Sequence, residues 1–386
     1  MKKLAIITTH PIQYYAPVFK LLHERGRIEI MVYYTWGEKS KVKYDPGFGT
    51  TIGWDIPLLE GYPFTWVKNT SDDPGTHHYK GIVNPDLTGE IEEWHPDTIL
   101  VFGWAWQSHL KCLRYFKGKI PLYFRGDSTL LDEPRGIKKA LRTIFLKWVY
   151  RHIDHAFYTG TNNKAYFKKF GLTDAQLSFA PHAVDNERFS ADRKTEAAEL
   201  REQLQIGSGD ILILFAGKLE NKKSPVVLLE AFLALNKPGL YLLLVGNGDL
   251  EAELKSKASG AANVRFMDFQ NQTRMPVILQ ACDLFCLPSK GPGETWGLAV
   301  NETMACGKAV LVSDRVGCAA DLVKKGHNGS VFESGNQAEL VDCLNELTQS
   351  KSKLRDMGKN SYQIIKDWNF LKLAEAIENK LGAIPA

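Results

Sequence analysis

The sequence predicts an α/β protein built as two doubly wound parallel-sheet domains facing across a cleft. Apolar, β-branched runs alternate with amphipathic stretches along nearly the whole chain, the pattern of parallel sheets covered by helices on both faces. The series occurs twice, before and after a charged stretch of low β-propensity. At 386 residues the chain also exceeds the roughly 250–300 residues at which single cores stop growing.

In the first half, strands are expected at 4–9, 28–34, 98–103, 120–125, 155–160 and 177–181, with helices near 11–24, 85–94, 106–117, 134–151 and 161–170. Residues 35–83, rich in Gly, Pro, Trp and Tyr, interrupt the alternation and read as an insertion on the strand-end side of the sheet. Its aromatic residues Trp36, Trp54, Tyr62, Phe64 and Trp66 suit either sugar stacking or a small local core. The stretch 186–209, "NERFSADRKTEAAELREQLQIGSG", is the expected junction, giving domains at 1–190 and 191–368. Strands then follow at "ILILFAG", "LYLLLVG", "NVRFM", "LFCLPS", "AVLVSD" and "GSVF". Helices are expected near 224–236, 249–259, 273–281, 297–306, 318–325 and 336–349. A final helix near 370–383, within 369–386, is expected to return to the first domain.

Composition excludes several classes. Lys plus Arg is 48 against 44 for Asp plus Glu, a net +4 too mild to imply a nucleic-acid partner. Six cysteines with no CxxC pair argue against a zinc site and a disulfide framework. The amino-terminal "MKKLAIITT" is too short in its apolar run for a secretion signal, and no segment approaches 18 consecutive apolar residues. A cytoplasmic protein is the expectation.

Two stretches of the second half carry chemistry. "ILILFAG" ends at Gly217 and is followed by Lys218, Lys222 and Lys223, just before a helix start marked by Ser224 and Pro225. Lysines at a strand's carboxyl end, beside the free N–H groups of a helix start, suit a diphosphate. "LFCLPS" ends near Ser289 and leads through "KGPGETW" into a helix from about Gly297, so Glu294 sits in a strand-to-helix loop and Glu302 within the helix. Carboxylates accept hydrogen bonds from vicinal hydroxyls, and two of them suit a ribose and a hexose of one ligand.

The segment Glu294 to Glu302 resembles the Glu-x7-Glu signature of retaining GT-B glycosyltransferases of family 4, glycosyl transferases group 1. The resemblance continues through "PHAVDNERF", "GKLENKKSP", "LLLVGNGDLEAEL", "VRFMDFQNQ", "LFCLPS", "MACGKAVLVSD" and "GHNGSVF", covering residues 181–333. It implies the GT-B fold of two Rossmann-like domains, the first binding the acceptor and the second the nucleotide sugar. Carried onto this chain, it makes Lys218 and Lys223 neutralise the departing diphosphate, Glu294 contact the donor sugar and Glu302 hold the ribose. Backbone N–H groups at Thr295, Trp296 and Gly297 would add donors, and the base would be read by main chain near Phe269. Lys218 stands where the family usually has Arg, exchanging a bidentate fork for a point charge.

No DxD triplet occurs, so a metal-independent transferase with no cofactor is expected. Its donor would be UDP- or GDP-linked, carrying a hexosyl or N-acetylhexosaminyl group. The acceptor would be a glycan or lipid-linked molecule of bacterial cell-surface polysaccharide or glycoconjugate synthesis. Alternatives on the same scaffold are a sugar-nucleotide epimerase, a phosphorylase and a non-catalytic sugar-nucleotide sensor. In the first half, "TTHPIQYY" lacks the paired glycines usual at the first strand–helix loop, leaving His10 ahead of Pro11. Arg125 and Asp127 follow the strand "IPLYF" where a histidine is usual. His10, Arg125 and Asp127 either touch substrate or serve as local caps and turns, while His109 reads as structural. The segment 134–151, "PRGIKKALRTIFLKWVYR", has six basic residues, no acid and apolar residues at helical spacing. It either lies on the inner, anionic face of a membrane or turns its apolar side to the core.

Overall fold

Each apolar run read as a strand forms one, in a computed structural model that describes residues 1–41, 43–45, 47–133 and 136–382. The strands are β1 (Lys2–Thr8), β2 (Ile28–Tyr34), β3 (Lys43–Asp45), β4 (Thr50–Ile52), β5 (Phe64–Trp66), β6 (Thr98–Phe102), β7 (Leu122–Arg125), β8 (His155–Tyr158) and β9 (Leu177–Phe179). They continue with β10 (Ile211–Ala216), β11 (Leu240–Val245), β12 (Val264–Met267), β13 (Leu284–Leu287), β14 (Ala309–Ser313) and β15 (Gly329–Phe332). The chain divides into two compact units. Unit 1 is Met1–Lys43, Pro57–His182 and Phe370–Ala386; unit 2 is Tyr44–Ile56 and Ala183–Asn369.

Unit 1 holds a sheet of order β5-β2-β1-β6-β7-β8-β9, and its paired strands run parallel. Leu4, Ala5, Ile6 and Ile7 of β1 are all fully buried, as expected for consecutive residues of a parallel strand covered on both faces, while Lys2 at its start is exposed. Unit 2 holds a sheet of order β12-β11-β10-β13-β14-β15, again parallel. In each sheet the strand order reverses once, between β1 and β6 in the first and between β10 and β13 in the second. Ligands of such sheets bind beyond the carboxyl ends of the strands at that reversal.

Three sequence expectations need correction. The insertion 35–83 is not wholly outside the sheet: Phe64–Trp66 pairs with β2 as an edge strand, and β3 and β4 form a separate two-stranded sheet that belongs to unit 2. The division falls after His182, so residues 183–190 lie in unit 2 and not with the first domain. The stretch 186–209 is ordered helix over Asn186–Ser190 and Lys194–Gln203. Phe189, Ala197 and Leu200 are buried, and Arg201 bonds the Ala281 carbonyl at 2.8 Å and Asp283 at 3.1 Å. With so few apolar positions, a helix reads like a linker. The helix Lys351–Ile365 has no counterpart among the expected elements, and its burial at Leu354, Met357 and Ile365 explains why it forms.

The final helix, Phe370–Lys380, lies in unit 1. Its fully buried Glu378 accepts from Arg25 Nε and Nη2, each at 2.9 Å, and from Arg27 at 3.3 Å. In the basic segment the helix is Ile137–Tyr150. Leu146, Val149 and Tyr150 are buried, whereas Ile137, Leu141, Ile144 and Phe145 are exposed. The helix is therefore apolar on a core side and on a solvent side, and the core-facing reading covers only the first. Pro134, Arg135 and residue 383 of the expected segments lie outside the described residues. No helix among the described residues is long and apolar enough to cross a membrane.

Candidate functional site

The two chemistry-bearing loops of unit 2 emerge from β10 and β13, the neighbours at the reversal of strand order. After β10 the backbone turns at Gly217, with φ +153°, and its N–H donates to the Val245 carbonyl at 3.0 Å. The loop after β11 approaches so closely that a β-carbon on Gly246 would lie 2.1 Å from the Gly217 carbonyl oxygen, so only glycine fits there. Asn221–Lys223 then form a short 3₁₀ turn, and Ser224 and Pro225 open the helix Pro225–Leu235.

The loop after β13 is cross-braced to this turn. Lys290 N–H donates to the Lys222 carbonyl at 2.8 Å, and Lys290 Nζ reaches Asn221 Oδ1 at 3.1 Å. Lys223 Nζ donates to Glu294 Oε2 at 2.5 Å, and Ser289 Oγ donates to the same oxygen at 2.9 Å. Glu294 is buried, so its charge rests on a lysine and a hydroxyl. The Glu294 and Trp296 carbonyls accept from Gly317 N–H at 3.2 Å and Cys318 N–H at 2.9 Å, which fixes the peptide planes across Thr295. A β-carbon on Gly317 would sit 1.7 Å from the Thr295 oxygen. Gly297, at φ +91°, caps the helix Leu298–Ala305, and Trp296 is buried with Nε1 donating to Asn301 at 2.9 Å. Glu302 lies in that helix and is buried.

Lys218 donates to Asp45 Oδ1 at 2.7 Å. Burial alone would raise the Asp45 carboxyl, but the Lys218 hydrogen bond and charge, with the N–H groups of Gly47 and Phe48, hold it below the usual range. Phe269 N–H is taken by Asn247 Oδ1 at 2.7 Å. That N–H is thus committed to a side chain. Sequence reasoning missed Asp45, Ser289 and Asn247. Only Asn247, between Gly246 and Gly248, carried a local signal, since two glycines there mark a tight loop at a strand end.

The candidates of the first half lie in unit 1, at the carboxyl edge of its sheet. His10 follows β1, with Nδ1 2.8 Å from Thr9 Oγ1 and its ring edge-on to Trp36 at 5.1 Å. Asp127 follows β7 and is half-buried. Arg125, left open between substrate contact and a local role, ends β7. It is fully buried, and its guanidinium donates to the Ala180 and Pro181 carbonyls at 2.8 and 2.9 Å. Burial lowers its pKa, opposed by Tyr15 and Asp127. It fastens the end of unit 1, a role open to Arg because its fork spans two carbonyls. His109 is buried against Thr35 Oγ1 at 2.8 Å and the Gly103 carbonyl at 2.9 Å, with its pKa pushed down to about 4 by burial. Tyr62, Phe64 and Trp66 pack on one another and on Tyr34, whose hydroxyl lies 2.6 Å from that of Tyr62. Among the described residues one group has metal-ligand spacing, Asp73 with His77 and His78, on a loop of unit 1 rather than beside the lysines.

Residues 196–364 match the family glycosyl transferases group 1. A D-inositol 3-phosphate glycosyltransferase of Nocardia farcinica is 27% identical over 226 residues, 55% of this chain and 49% of that protein. A phosphatidyl-myo-inositol mannosyltransferase of Mycobacterium leprae is 32% identical over 136 residues, 34% of this chain and 36% of that protein. The chain thus spans about half the length of the curated relatives it matches. Among solved structures, Anabaena Alr3699/HepE in complex with UDP and glucose superposes with a TM-score of 0.72 at 19% identity, covering 100% of both chains. WaaG, a glycosyltransferase involved in lipopolysaccharide biosynthesis, superposes at 0.68 and 15% identity, covering 98% of this chain and 99% of that one. The strand orders and these likenesses establish the GT-B fold, and the match to glycosyl transferases group 1 is carried by residues 196–364, all within unit 2.

Proposed function

We propose that this protein transfers a sugar from a nucleotide-diphosphate sugar to a glycan or lipid-linked acceptor, with retention at the anomeric carbon. The observation that carries this reading is the cross-braced pair of loops at the β10–β13 reversal, which holds Lys223 against Glu294. Lys218 and Lys223 neutralise charge developing on the leaving diphosphate, a preorganised electrostatic role that needs no metal bridge. Glu294, held by Lys223 and Ser289, accepts hydrogen bonds from donor-sugar hydroxyls and orients the ring; it is not a nucleophile. Glu302 accepts from the ribose, and the backbone from Thr295 to Gly297 faces phosphate or sugar. Attack on the leaving group's own face gives retention, with the β-phosphate taking the acceptor's proton.

UDP is the favoured nucleotide because HepE binds it on the same fold. A role in bacterial surface glycoconjugates is supported by the phosphatidyl-myo-inositol mannosyltransferase, named for a lipid substrate, and by WaaG, involved in lipopolysaccharide biosynthesis. The acceptor is assigned to unit 1, where His10 and Asp127 lie at the sheet's carboxyl edge. A lipid-linked acceptor agrees with the exposed Ile137, Leu141, Ile144 and Phe145 beside Lys138, Lys139 and Arg142, which suit a cytoplasmic protein resting on an anionic inner face.

Thermal denaturation against UDP-, GDP-, ADP- and dTDP-sugars tests the reading, since a ligand bound only by the folded protein raises its apparent stability by mass action. One nucleotide class should raise Tm by several degrees, and no response to any would overturn the proposal. Conversion of a stabilising sugar nucleotide without acceptor would identify an epimerase instead.

A further inference from the structure

The hairpin of β3 and β4 is encoded between β2 and β5 of unit 1, yet belongs to unit 2. It is fastened there at several points. Asp45 Oδ1 holds Lys218 at 2.7 Å, and a β-carbon on Gly47 would lie 2.6 Å from Lys218 Cδ. The Phe48 ring packs on Phe269 with centroids 4.8 Å apart, and Lys218 Nζ lies 5.2 Å from the Phe48 ring. Further along, the Gly53 carbonyl accepts from Asn271 Nδ2 at 2.7 Å, and Asp55 accepts from the Thr273 N–H at 3.2 Å and from its hydroxyl. These anchors fall on two loops at the sheet's carboxyl edge, those after β10 and β12.

Charge gives the arrangement its consequence. Lys218 is paired with Asp45 and Lys223 with Glu294, so the two carboxylates offset the charge that these two lysines would offer an entering diphosphate. A diphosphate at either lysine competes with its carboxylate. Glu294 is buried and also held by Ser289, whereas Asp45 takes a further bond from the Gly47 N–H at 2.9 Å, within its own hairpin. The Asp45 carboxylate thus has a hydrogen bond inside its own hairpin that does not depend on Lys218.

We propose that Asp45 is a built-in competitor for the donor's diphosphate at Lys218, held in place by the Phe48–Phe269 contact, so that the hairpin sets donor affinity. This rests on the reading that Lys218 lies in the diphosphate site. Calorimetric titration of the full chain with UDP, GDP and pyrophosphate tests it, the last because it lacks a base and reports the lysines alone. Asp45→Asn should tighten binding roughly tenfold, the scale of one charge-assisted contact. Phe48→Ala, which removes the ring contacts with Phe269 and Lys218 but neither charged group, loosens one anchor of the hairpin and should tighten UDP and pyrophosphate binding in the same direction. In a Lys218→Ala background the gain from Asp45→Asn should vanish. Unchanged or weaker binding by both hairpin variants, or no binding by wild type and variants alike, overturns the proposal. If Lys218→Ala itself leaves affinity unchanged, the diphosphate reading fails with it. If Lys218→Ala weakens binding and neither hairpin variant strengthens it, only the competitor role fails.

Discussion

Lys223 and Arg125 look alike in the sequence, both basic and both at a strand's carboxyl end, yet the structure gives them opposite surroundings. Lys223 reaches a buried carboxylate across two loops, while Arg125 is sealed under two carbonyls. The strand-end position was legible, but the burial was not, because it depends on Ala180 and Pro181, 55 and 56 residues away. Removing Lys223 leaves the Glu294 charge buried with one hydroxyl and takes a cation from the diphosphate, so Lys223→Ala should weaken nucleotide binding by about 1.5–3 kcal/mol, roughly 10- to 150-fold. Titration with UDP and GDP checks this, and an unchanged Kd would remove Lys223 from the diphosphate's path. Arg125→Ala should instead lower stability, since it strips donors from two buried carbonyls.

At the scale of elements, strands were the most legible, because fully buried parallel strands are continuous apolar runs that no turn resembles. Helices with narrow apolar faces were the least legible. Lys194–Gln203 buries only Ala197 and Leu200, and its charge made it read as a junction. The β3–β4 hairpin was invisible because its meaning lies in contacts with Lys218, Phe269 and Thr273, far along the chain. The last helix owes its place to Glu378, buried beneath Arg25 and Arg27. Glu378→Ala removes two charge-assisted hydrogen bonds from Arg25, which keeps only the longer contact with Glu375 at 3.7 Å, and should cost about 1.5–3 kcal/mol, read as a drop in Tm. The helix Ile137–Tyr150 makes a different prediction. Replacing Leu141 and Ile144 together by Asp should reduce co-sedimentation with phosphatidylglycerol vesicles several-fold without lowering Tm, as both are exposed. A wild-type protein that ignores such vesicles would contradict the membrane reading.

Over the whole molecule, buried histidines set an acid limit. His109 and His155 have pKa values pushed down to about 4 by burial, and His182 is also lowered. The unfolded chain binds these protons near pH 6.5 while the folded chain resists them to about 4. Stability is therefore full above about pH 6.5 and falls as the pH drops toward 4, and a Tm flat from pH 7.5 to 4.5 would contradict this. The two-sheet architecture was legible at this scale because each sheet repeats the same alternation. Which parts of the chain belong to which unit was not, since the hairpin and the final helix each cross the order of the sequence. One comparison bears most directly on a single nucleotide sugar shared by two carboxylates: donor affinity and turnover for Glu294→Ala and Glu302→Ala beside the wild type. Glu302→Ala should weaken donor binding about tenfold or more, while Glu294→Ala should leave binding within a few-fold and cut turnover by about a hundredfold or more. Unchanged turnover in Glu294→Ala, or unchanged affinity in Glu302→Ala, would contradict the division of labour between them.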